Sequence, residues 1–506
     1  MAGYKKHYAP KPYDPNKKKW NPNWSKKPVV KEERKPILNP SKYQSDFFAA
    51  VKEGEHSIIV RACPGSGKTT SSSEAYYYQA PGLKTIYLAF NTDAARALEA
   101  KTAPGVEAKT NHSIGMRAVV KAFGKVDVDK NKDYRIAVSL VGDDEPKKAE
   151  EAYNISKAMD LAKSVLANTS EEVDDVIDRF GIEIPVHTDR KSFVANVLSG
   201  LEVAARQTNI ISYGDMLWFV TKHNLGMVEQ YDRIYQDELQ DMSPSQQAIM
   251  VKLLAPGGKF YGVGDENQWL YGWAGSSEDG MDVMANMTSA VKMPLSICYR
   301  CGKKIVAQCA TLVPEIEPWD KADDGIVDNA TKQKMMTEAK PGDFIISRVN
   351  APLVSLCLGF IREGRKAKIA GKDMGKSLYY FIKNSEATSL NELIDYTETW
   401  RLKEIERLSA KKRDFTHISD KADTILMFCE NSNSLEQVNA NISKMFDDDD
   451  DNNYIRLTSC HRAKGKEVDR VWALNNFKAD ESKAELNVAY VAWSRAKKEL
   501  YLVDCK

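Results

Sequence analysis

Near the start of the chain lies a glycine-rich segment with the residue types and spacing of a phosphate-binding loop. The segment, called the phosphate loop below, reads Ala62-Cys-Pro-Gly-Ser-Gly-Lys-Thr69, with alanine in place of the usual first glycine. An apolar run before it predicts a buried strand, and a helical pattern follows, as this motif requires. Its backbone N–H groups could surround a polyphosphate, with Lys68 at the β- and γ-phosphates and the Thr69 hydroxyl on Mg²⁺. A chance glycine turn is the alternative, but the motif in this setting predicts nucleotide binding.

Two adjacent carboxylates, Asp237 and Glu238, directly follow another predicted strand. Asp237 could hold Mg²⁺, often through water, and Glu238 could orient and deprotonate an attacking water. Such a pair also occurs in ordinary surface turns. Because a phosphate loop needs a metal-holding acid on a neighbouring strand, the combination with Lys68 and Thr69 favours a magnesium–nucleotide site.

The elements that must position these groups are short apolar runs alternating with helical patterns. The runs that predict strands are residues 57–62, 85–90, 231–236, 259–263, 343–347, 470–474 and 500–503. Their alternation with helices indicates open parallel sheets with crossover helices. Residues 117–200 instead show helical spacing at Ile155, Met159, Ala162 and Leu166, and a capping-box pattern at Thr169-x-x-Glu172. A second charged stretch, about 371–450, is also mainly helical and ends in five aspartates that predict a solvated loop.

The N-terminal 36 residues differ in charge from the rest of the 506-residue chain. They hold eleven Lys or Arg against three acids, a net charge of +8, so the total of +1 leaves −7 for the remainder. Prolines and aromatic residues are interleaved with the basic ones and no period is evident, which predicts disorder. Such a tail suits single-stranded nucleic acid, because charge follows phosphates and rings stack on bases. A solubilising tail or a docking peptide for a protein partner remains equally open.

Composition also bounds the compartment. No run of about 18 apolar residues appears, so no membrane-spanning helix and no membrane partner are expected. The N-terminal lysines are not followed by an apolar segment, so no secretion signal is expected. Eight sparse cysteines predict free thiols in a reducing compartment, and the lone Cys298-x-x-Cys301 pair with Cys309 is a weak metal signal.

The ordered set of motifs resembles the superfamily 1 helicases, most closely the UvrD/Rep/PcrA group, over nearly all of residues 38–506. One motif alone would be a weak signal, whereas the ordered set is specific. The segments that carry the resemblance are Leu38-Asn-Pro-Ser-Lys-Tyr-Gln44 (glutamine motif), the phosphate loop, Phe90-Asn-Thr-Asp-Ala-Ala-Arg96 (motif Ia), Thr110-Asn-His-Ser-Ile-Gly115 (motif Ib), Ile211-Ser-Tyr-Gly-Asp215, Asp237-Glu-Leu-Gln-Asp241 (motif II), Val263-Gly-Asp-Glu-Asn-Gln-Trp-Leu-Tyr-Gly-Trp-Ala-Gly-Ser276 (motif III), Tyr299-Arg300 (motif IV), Ser459-Cys-His-Arg-Ala-Lys-Gly-Lys-Glu467 (motif V) and Tyr490-Val-Ala-Trp-Ser-Arg-Ala496 (motif VI).

The resemblance implies an α/β fold of two RecA-like parallel-sheet domains, each with a mainly helical insertion, plus the disordered basic tail. The expected boundaries are 1–36 for the tail, 37–116 and 201–293 for the first domain, 117–200 for its insertion, 294–370 and 451–506 for the second domain, and 371–450 for its small insertion. ATP would bind between the two domains.

The resemblance also implies roles for residues of the ATP site. Gln268 would sense the γ-phosphate, and Arg300 and Arg495 would be arginine fingers. Tyr299 would stack on adenine, and Glu467 would accept a hydrogen bond from the ribose. The implied catalytic residues are Lys68, Asp237, Glu238, Gln268, Arg300 and Arg495. Those implied to bind nucleotide are Gln44, Pro64, Gly65, Ser66, Gly67, Lys68, Thr69, Thr70, Tyr299 and Glu467, with Thr69 and Asp237 on Mg²⁺.

A second set of residues would face DNA. Phe90, Tyr271 and Trp273 would stack on bases, and core packing is the alternative for these rings. The full set implied by the resemblance is Phe90, Asn91, His112, Tyr271, Trp273, Ser459 and His461. Departures from the family's pattern include Ala274, where an arginine is common, and Asn487, also in place of arginine.

These implications favour an ATP-dependent DNA helicase that moves 3′→5′ on single-stranded DNA and unwinds duplex. The alternatives are a translocase that strips bound proteins with little unwinding, and an ATP-regulated nucleic-acid-binding module. Expected partners are single-stranded DNA, single/double-strand junctions and, through the tail, replication or recombination proteins. The expected location is the cytoplasm of a bacterial or phage-infected cell.

Overall fold

The computed structural model describes residues 37, 39–185, 188–270, 272, 275–410, 415–446, 453–479 and 482–504, except for the side chains of Pro146, Lys372 and Asp373. The chain divides into two compact units. Unit 1 comprises the described residues up to Ala62 and those of Gly67–Glu266 and Tyr271–Leu295; unit 2 comprises Cys63–Ser66, Asn267–Leu270 and the described residues from Ser296 on.

Unit 1 contains a six-stranded parallel sheet in the order β3-β2-β6-β7-β1-β8. Its elements are α1 (Lys42–Glu53), β1 (Ile58–Ala62), α2 (Lys68–Ala75), β2 (Thr85–Ala89), α3 (Thr92–Lys101), β3 (Glu107–Thr110), α4 (Asn111–Phe123), β4 (Asp127–Val128), α5 (Lys132–Val141), α6 (Pro146–Val165), α7 (Ser170–Arg179), α8 (Arg190–Arg206), β5 (Ile210–Ile211), α9 (Tyr213–Lys222), β6 (Tyr231–Gln236), α10 (Pro244–Leu253), β7 (Leu254–Gly264), α11 (Gly280–Thr288) and β8 (Val291–Leu295). Because the strands are parallel, their carboxyl ends share one edge of the sheet. The phosphate loop leaves the end of β1 there, and Asp237 follows the end of β6.

The four strand predictions in unit 1 are confirmed with small shifts in their ends. β6 has the predicted bounds, while β7 begins five residues earlier than predicted. The segment Leu254–Gly258 looks like a turn in the sequence, but Leu254 pairs with Tyr231 across a register shift. Pairing with a neighbouring strand therefore extends β7 through a segment that its own residue types disfavour.

The helical stretch after β3 has its own hydrophobic core. Ile155, Met159 and Ala162 are fully buried on α6. Leu166 follows the end of that helix in a left-handed conformation, with φ of 63°. The predicted capping box is confirmed: the Thr169 hydroxyl accepts from the N–H of Glu172, and the Glu172 carboxylate accepts from the N–H of Thr169.

A buried charge network ties this helical stretch to α9. The Asp215 carboxylate lies 2.7 Å from Lys132 Nζ and 2.7 Å from Lys163 Nζ, and Lys163 Nζ also lies 2.6 Å from Asp133. Burial disfavours the charged form of Asp215, but the two ammonium groups have the larger combined effect, so the pKa of Asp215 is lowered. The network fixes α5, α6 and α9 to one another, because separating them would leave buried charges uncompensated.

Unit 2 contains a second six-stranded parallel sheet, in the order β11-β16-β15-β12-β14-β13. Its elements are β9 (Ile297–Cys298), α12 (Lys303–Ala310), β10 (Glu317–Pro318), β11 (Ile326–Thr331), α13 (Lys332–Glu338), β12 (Phe344–Ser347), α14 (Ala351–Arg362), β13 (Ala367–Ile369), α15 (Lys372–Asn384), α16 (Leu390–Ala410), α17 (Thr416–Glu430), α18 (Leu435–Met445), β14 (Ile455–Ser459), α19 (Cys460–Ala463), β15 (Val468–Leu474), α20 (Lys483–Trp493) and β16 (Ala496–Asp504). β12, β15 and β16 confirm the three predicted strands, and α15–α18 confirm the second helical stretch.

The predicted fold class, two RecA-like parallel sheets with helical stretches, is therefore confirmed, whereas the detailed boundaries of domains and insertions remain predictions. The basic tail, the aspartate run and Cys505 lie outside the described residues. Among the described residues, no helix combines the length and apolarity needed to cross a membrane. The seven described cysteines are buried, and none of them is part of a disulfide. Within the described chain, no three His, Cys, Asp or Glu side chains are grouped to hold a metal.

Candidate functional site

The backbone of the phosphate loop has the shape expected for wrapping an anion. Gly65 and Gly67 have φ of 67° and 78°, a region that side chains other than glycine rarely adopt. Gly67 caps the N-terminus of α2, so Lys68 and Thr69 form its first turn. The Ser66 hydroxyl is fully buried, and no described group accepts or donates a hydrogen bond to it. Thr70 is exposed.

In unit 1 the first turn of α2 meets the carboxylates at the end of β6. The Thr69 hydroxyl donates a 2.7 Å hydrogen bond to Asp237 Oδ2, and Lys68 Nζ lies 3.9 Å from Glu238 Oε2. Two pairs of residues, the members of each pair about 170 positions apart in the sequence, are thus brought together. This is the arrangement that the sequence predicted for holding Mg²⁺ and activating water.

The two carboxylates differ in environment. Burial, and then the neighbouring Glu238 carboxylate, raise the pKa of Asp237 to about 6, while the Thr69 hydroxyl and the Lys68 ammonium act in the opposite direction. Glu238 has a left-handed backbone with φ of 51°, which is strained for a residue with a side chain. The Gln240 amide donates to Glu238 Oε2 at 2.7 Å and so helps to orient that carboxylate.

Gln44, the implied adenine-binding residue, is buried and has two structural partners. Its Oε1 accepts from the N–H of Ser41 at 2.9 Å, which completes the capping box of α1. Its Nε2 donates to the Ser71 hydroxyl of α2 at 3.0 Å. The residue therefore fixes the start of α1 to the helix that follows the phosphate loop.

In unit 2, motif III and motif VI meet through Gln268 and Arg495. Arg495 Nη2 donates to Gln268 Oε1 at 3.3 Å. Arg495 is 2% exposed, and its guanidinium donates to the Val491 carbonyl at 2.9 Å and to the Ser494 hydroxyl at 2.9 Å. These bonds fix its orientation within a buried setting, where an arginine's charge is little screened.

Motif IV packs against the residues of the phosphate loop that belong to unit 2. The Tyr299 N–H donates to the Gly65 carbonyl at 2.9 Å. A Cβ atom at Gly65 would lie 2.5 Å from Arg300 Cβ, so the close approach requires glycine. Arg300 Nε forms an ion pair with Glu467, so the implied arginine finger and the implied ribose ligand are partners of each other.

The residues present fit a nucleotide and Mg²⁺. Oxygen donors such as the Thr69 hydroxyl and the Asp237 carboxylate are the ligands that Mg²⁺ prefers. The unpartnered Ser66 hydroxyl and the two left-handed glycines suit an anion at the loop.

The candidate DNA-facing residues of unit 1 differ in exposure. Phe90 directly follows β2 and is 44% exposed, so core packing is excluded for this ring. Asn91 caps α3 by accepting from the N–H of Ala94 at 2.8 Å. His112 is half-buried at the start of α4, and burial lowers its pKa. Tyr271 and Trp273 lie outside the described residues.

The corresponding residues of unit 2 lie at the end of β14. Ser459 is buried, and His461 on α19 is half-buried. Burial, followed by the charge of Arg348, lowers the pKa of His461 to about 4, so its imidazole is neutral near pH 7.

Two residues that the sequence did not single out as site residues contact the backbone of motif III. In unit 1, Arg179 of α7 donates to the Ser276 carbonyl at 2.8 Å, and Gly275 packs so closely on Ser164 of α6 that a Cβ would clash. In unit 2, Asn487 of α20 donates to the Trp269 carbonyl at 3.3 Å. No local sequence signal identifies these contacts, because each joins residues far apart in the chain.

Comparison with known protein families gives two matches. The UvrD/REP helicase N-terminal domain matches residues 44–288, and the UvrD-like helicase C-terminal domain matches residues 454–503. Together they span more than half of the chain and include the phosphate loop and motifs II, III and VI. No curated protein matches the chain. With two parallel sheets and this set of motifs, the chain belongs to the UvrD/Rep-type superfamily 1 helicases.

Proposed function

We propose that this protein is an ATP-dependent DNA helicase that moves 3′→5′ along single-stranded DNA and displaces the opposite strand. The observation that carries the proposal is the hydrogen bond from Thr69 to Asp237, with Lys68 beside Glu238. In a member of a helicase family, these are the groups that a Mg²⁺-dependent nucleotide hydrolase needs.

Glu238 is the general base of this proposal. Its carboxylate takes a proton from the attacking water, and Gln240 keeps it oriented. Lys68 stabilises the negative charge of the β- and γ-phosphates. Thr69 and Asp237 would hold Mg²⁺, which when bound would supply positive charge against the phosphates.

Two arginines supply further positive charge in this proposal. We assign Arg495 and Arg300 to stabilising the transferring phosphoryl group, and Gln268 to sensing it. Arg495 is already oriented by backbone and hydroxyl groups. Arg300 is paired with Glu467, so binding of ATP must exchange that carboxylate for phosphate oxygens.

In this proposal DNA is bound mainly by the stacking of aromatic side chains on its bases. The exposed Phe90 ring, with Tyr271 and Trp273, would stack on bases, each contact contributing about 1–3 kcal/mol with little sequence preference. ATP hydrolysis then changes which contacts hold the DNA strand, and repeated changes yield net movement along it. The 3′→5′ direction rests on the family resemblance of motif III.

Strand displacement on tailed duplexes tests the proposal. The substrates are DNA duplexes with either a 3′ or a 5′ single-stranded tail, incubated with ATP and Mg²⁺. Displacement from the 3′ tail alone supports the proposal. Displacement from the 5′ tail alone contradicts the direction, and displacement from neither tail contradicts unwinding.

A translocase that strips bound proteins is the second candidate. It is favoured by the small helical region of unit 2, α15–α18, because unwinding depends on accessory regions that engage the duplex. Removal of streptavidin from biotinylated single strands, without displacement of duplex under the same conditions, would support this candidate over the helicase.

A further inference from the structure

Two exposed aromatic rings of unit 2 form a corner beside the phosphate loop. Tyr299 and Trp319 are 36% and 38% exposed, and their ring centroids are 5.8 Å apart with an angle of 59° between the planes. Large rings that remain this exposed leave apolar surface available for a ligand. Tyr299 belongs to motif IV, whereas Trp319 belongs to no motif.

The backbone fixes the position of both rings. β9 and β10 are parallel, and Cys298 is paired with Pro318 as the last pair in register. Tyr299 and Trp319 are the residues directly after the ends of these two paired strands, so the paired backbones bring them side by side. The Trp319 N–H donates to the Cys298 carbonyl at 3.2 Å, and the N–H of Ala322 donates to the Trp319 carbonyl at 2.9 Å.

The corner is also tied to the phosphate loop. The Tyr299 N–H donates to the Gly65 carbonyl at 2.9 Å, and the following residue, Arg300, packs against Gly65. A base attached to phosphates bound at this loop is the ligand that this location favours. A base of single-stranded DNA would also suit two rings, and binding of oligo(dT) tests that occupant.

We propose that Trp319 is a nucleotide-binding residue that forms the second wall of the site for the base of ATP. This inference rests on the proposed function. At an angle of 59°, the two rings cannot both stack on the same face of a base. Tyr299 meets the face and Trp319 meets an edge, so Trp319 contributes to nucleotide affinity rather than to the chemical step.

The test compares Trp319→Ala and Trp319→Phe with the wild type in steady-state ATP hydrolysis. Tyr379→Ala is the matched control, because Tyr379 is 37% exposed and also pairs with another ring, that of Tyr380, 5.6 Å away. Trp319→Ala should raise KM for ATP about threefold to tenfold and leave kcat within about twofold. Trp319→Phe should lie close to the wild type, and Tyr379→Ala should match it.

Inorganic tripolyphosphate, which has no base, separates a base contact from a distorted loop. As a competitive inhibitor it should have the same inhibition constant for the wild type and Trp319→Ala. An equal rise in its inhibition constant and in KM would overturn the inference, since the loop itself would then be altered. An unchanged KM would overturn it as well.

The remaining possible ligand of the two rings is a base of single-stranded DNA. Affinity for fluorescein-labelled oligo(dT), measured by anisotropy without nucleotide, tests for it. It should be unchanged in Trp319→Ala, whereas a loss of oligo(dT) affinity with an unchanged KM would assign Trp319 to DNA and overturn the inference. Failure of ATP hydrolysis itself gives a different result, because the wild type would then hydrolyse no ATP. Failure of unwinding or of its direction is seen only in strand displacement and leaves this comparison of KM values intact.

Discussion

The Thr69 hydroxyl on α2 donates a hydrogen bond of 2.7 Å to the Asp237 carboxylate at the end of β6. This bond joins the phosphate loop to motif II across about 170 residues of sequence. It places the hydroxyl and the carboxylate where one Mg²⁺ ion could contact both, directly or through water. The proposed chemistry therefore depends on these two side chains acting as a pair.

Replacing Thr69 tests that pair. Thr69→Ala should raise the Mg²⁺ concentration needed for half-maximal ATP hydrolysis by at least about tenfold, because it removes one oxygen donor. Thr69→Ser, which keeps the hydroxyl, should stay within a few-fold of the wild type. The measurement is a Mg²⁺ titration of ATP hydrolysis at saturating ATP. Equal Mg²⁺ requirements for Thr69→Ala and the wild type would remove Thr69 from the metal site.

Arg179 should affect the response to DNA. Its bond to the Ser276 carbonyl fixes the end of motif III, the segment that carries Tyr271 and Trp273. A hydrogen bond from a charged group contributes about 1.5–3 kcal/mol, so Arg179→Gln should loosen this segment. We expect about a threefold to tenfold smaller stimulation of ATP hydrolysis by single-stranded DNA, with the rate without DNA unchanged.

The matched control for Arg179 is Arg206→Gln. The Arg206 side chain is 81% exposed at the end of α8 and forms a surface ion pair with Glu202. Arg206→Gln should leave the stimulation of ATP hydrolysis by single-stranded DNA unaltered. If single-stranded DNA stimulated ATP hydrolysis by Arg179→Gln as strongly as by this control, the bond to Ser276 would have no part in coupling DNA binding to hydrolysis.

The buried network at Asp215 should dominate the stability of unit 1. Asp215→Asn leaves Lys132 and Lys163 with less compensating charge in a buried setting, which typically costs about 3–5 kcal/mol. Asp282 is the control, because it also lies between two cations, Arg61 and Lys292, but is 46% exposed. Asp282→Asn should cost at most about 1 kcal/mol.

Urea unfolding, monitored by circular dichroism, measures both changes in the free energy of unfolding. A cost for Asp215→Asn no larger than that for Asp282→Asn would show that the buried ion pairs do not hold the helical stretch to α9.

His461 should make stability depend on pH. Its pKa is lowered from 6.5 to about 4 by burial, with Arg348, Lys464 and Arg462 opposing protonation and Glu485 favouring it. Between these values the unfolded chain binds the proton and the folded chain does not, so the free energy of unfolding falls as pH falls from 6.5 towards 4.

His461→Gln should remove this contribution. Urea unfolding at pH 5.0, 6.0 and 7.5 should therefore show a smaller loss of stability on acidification for His461→Gln than for the wild type. The difference between the two proteins isolates His461 from other titrating groups. Equal losses would mean that the imidazole is protonated as readily in the folded state as in the unfolded state.

The sequence predicted the parts of the fold and site that depend on local pattern. The phosphate loop, the carboxylate pair after β6 and the capping box at Thr169 each consist of neighbouring residues whose types suffice to identify them. Seven of the twelve strands described in the two six-stranded sheets were likewise visible as apolar runs. Their ends were less certain, as at β7, because pairing with Tyr231 sets where that strand begins.

Contacts between distant residues could not be predicted in the same way. The ion pair of Arg300 with Glu467, the bond from Arg179 to Ser276 and the approach of Trp319 to Tyr299 depend on how the chain folds back on itself. A single arginine or tryptophan has many surface roles, so its type carries little information until its neighbours are known.

The central claim is that this protein hydrolyses ATP with Glu238 as the general base when single-stranded DNA is bound. The most direct measurement is ATP hydrolysis with and without oligo(dT), for the wild type, Glu238→Gln and the exposed control Glu229→Gln. We predict DNA-stimulated hydrolysis by the wild type and the control. Glu238→Gln should lose at least about a hundredfold in rate while calorimetry shows that it still binds ATP. Normal hydrolysis by Glu238→Gln, or a wild type that binds ATP without hydrolysing it, would contradict the claim.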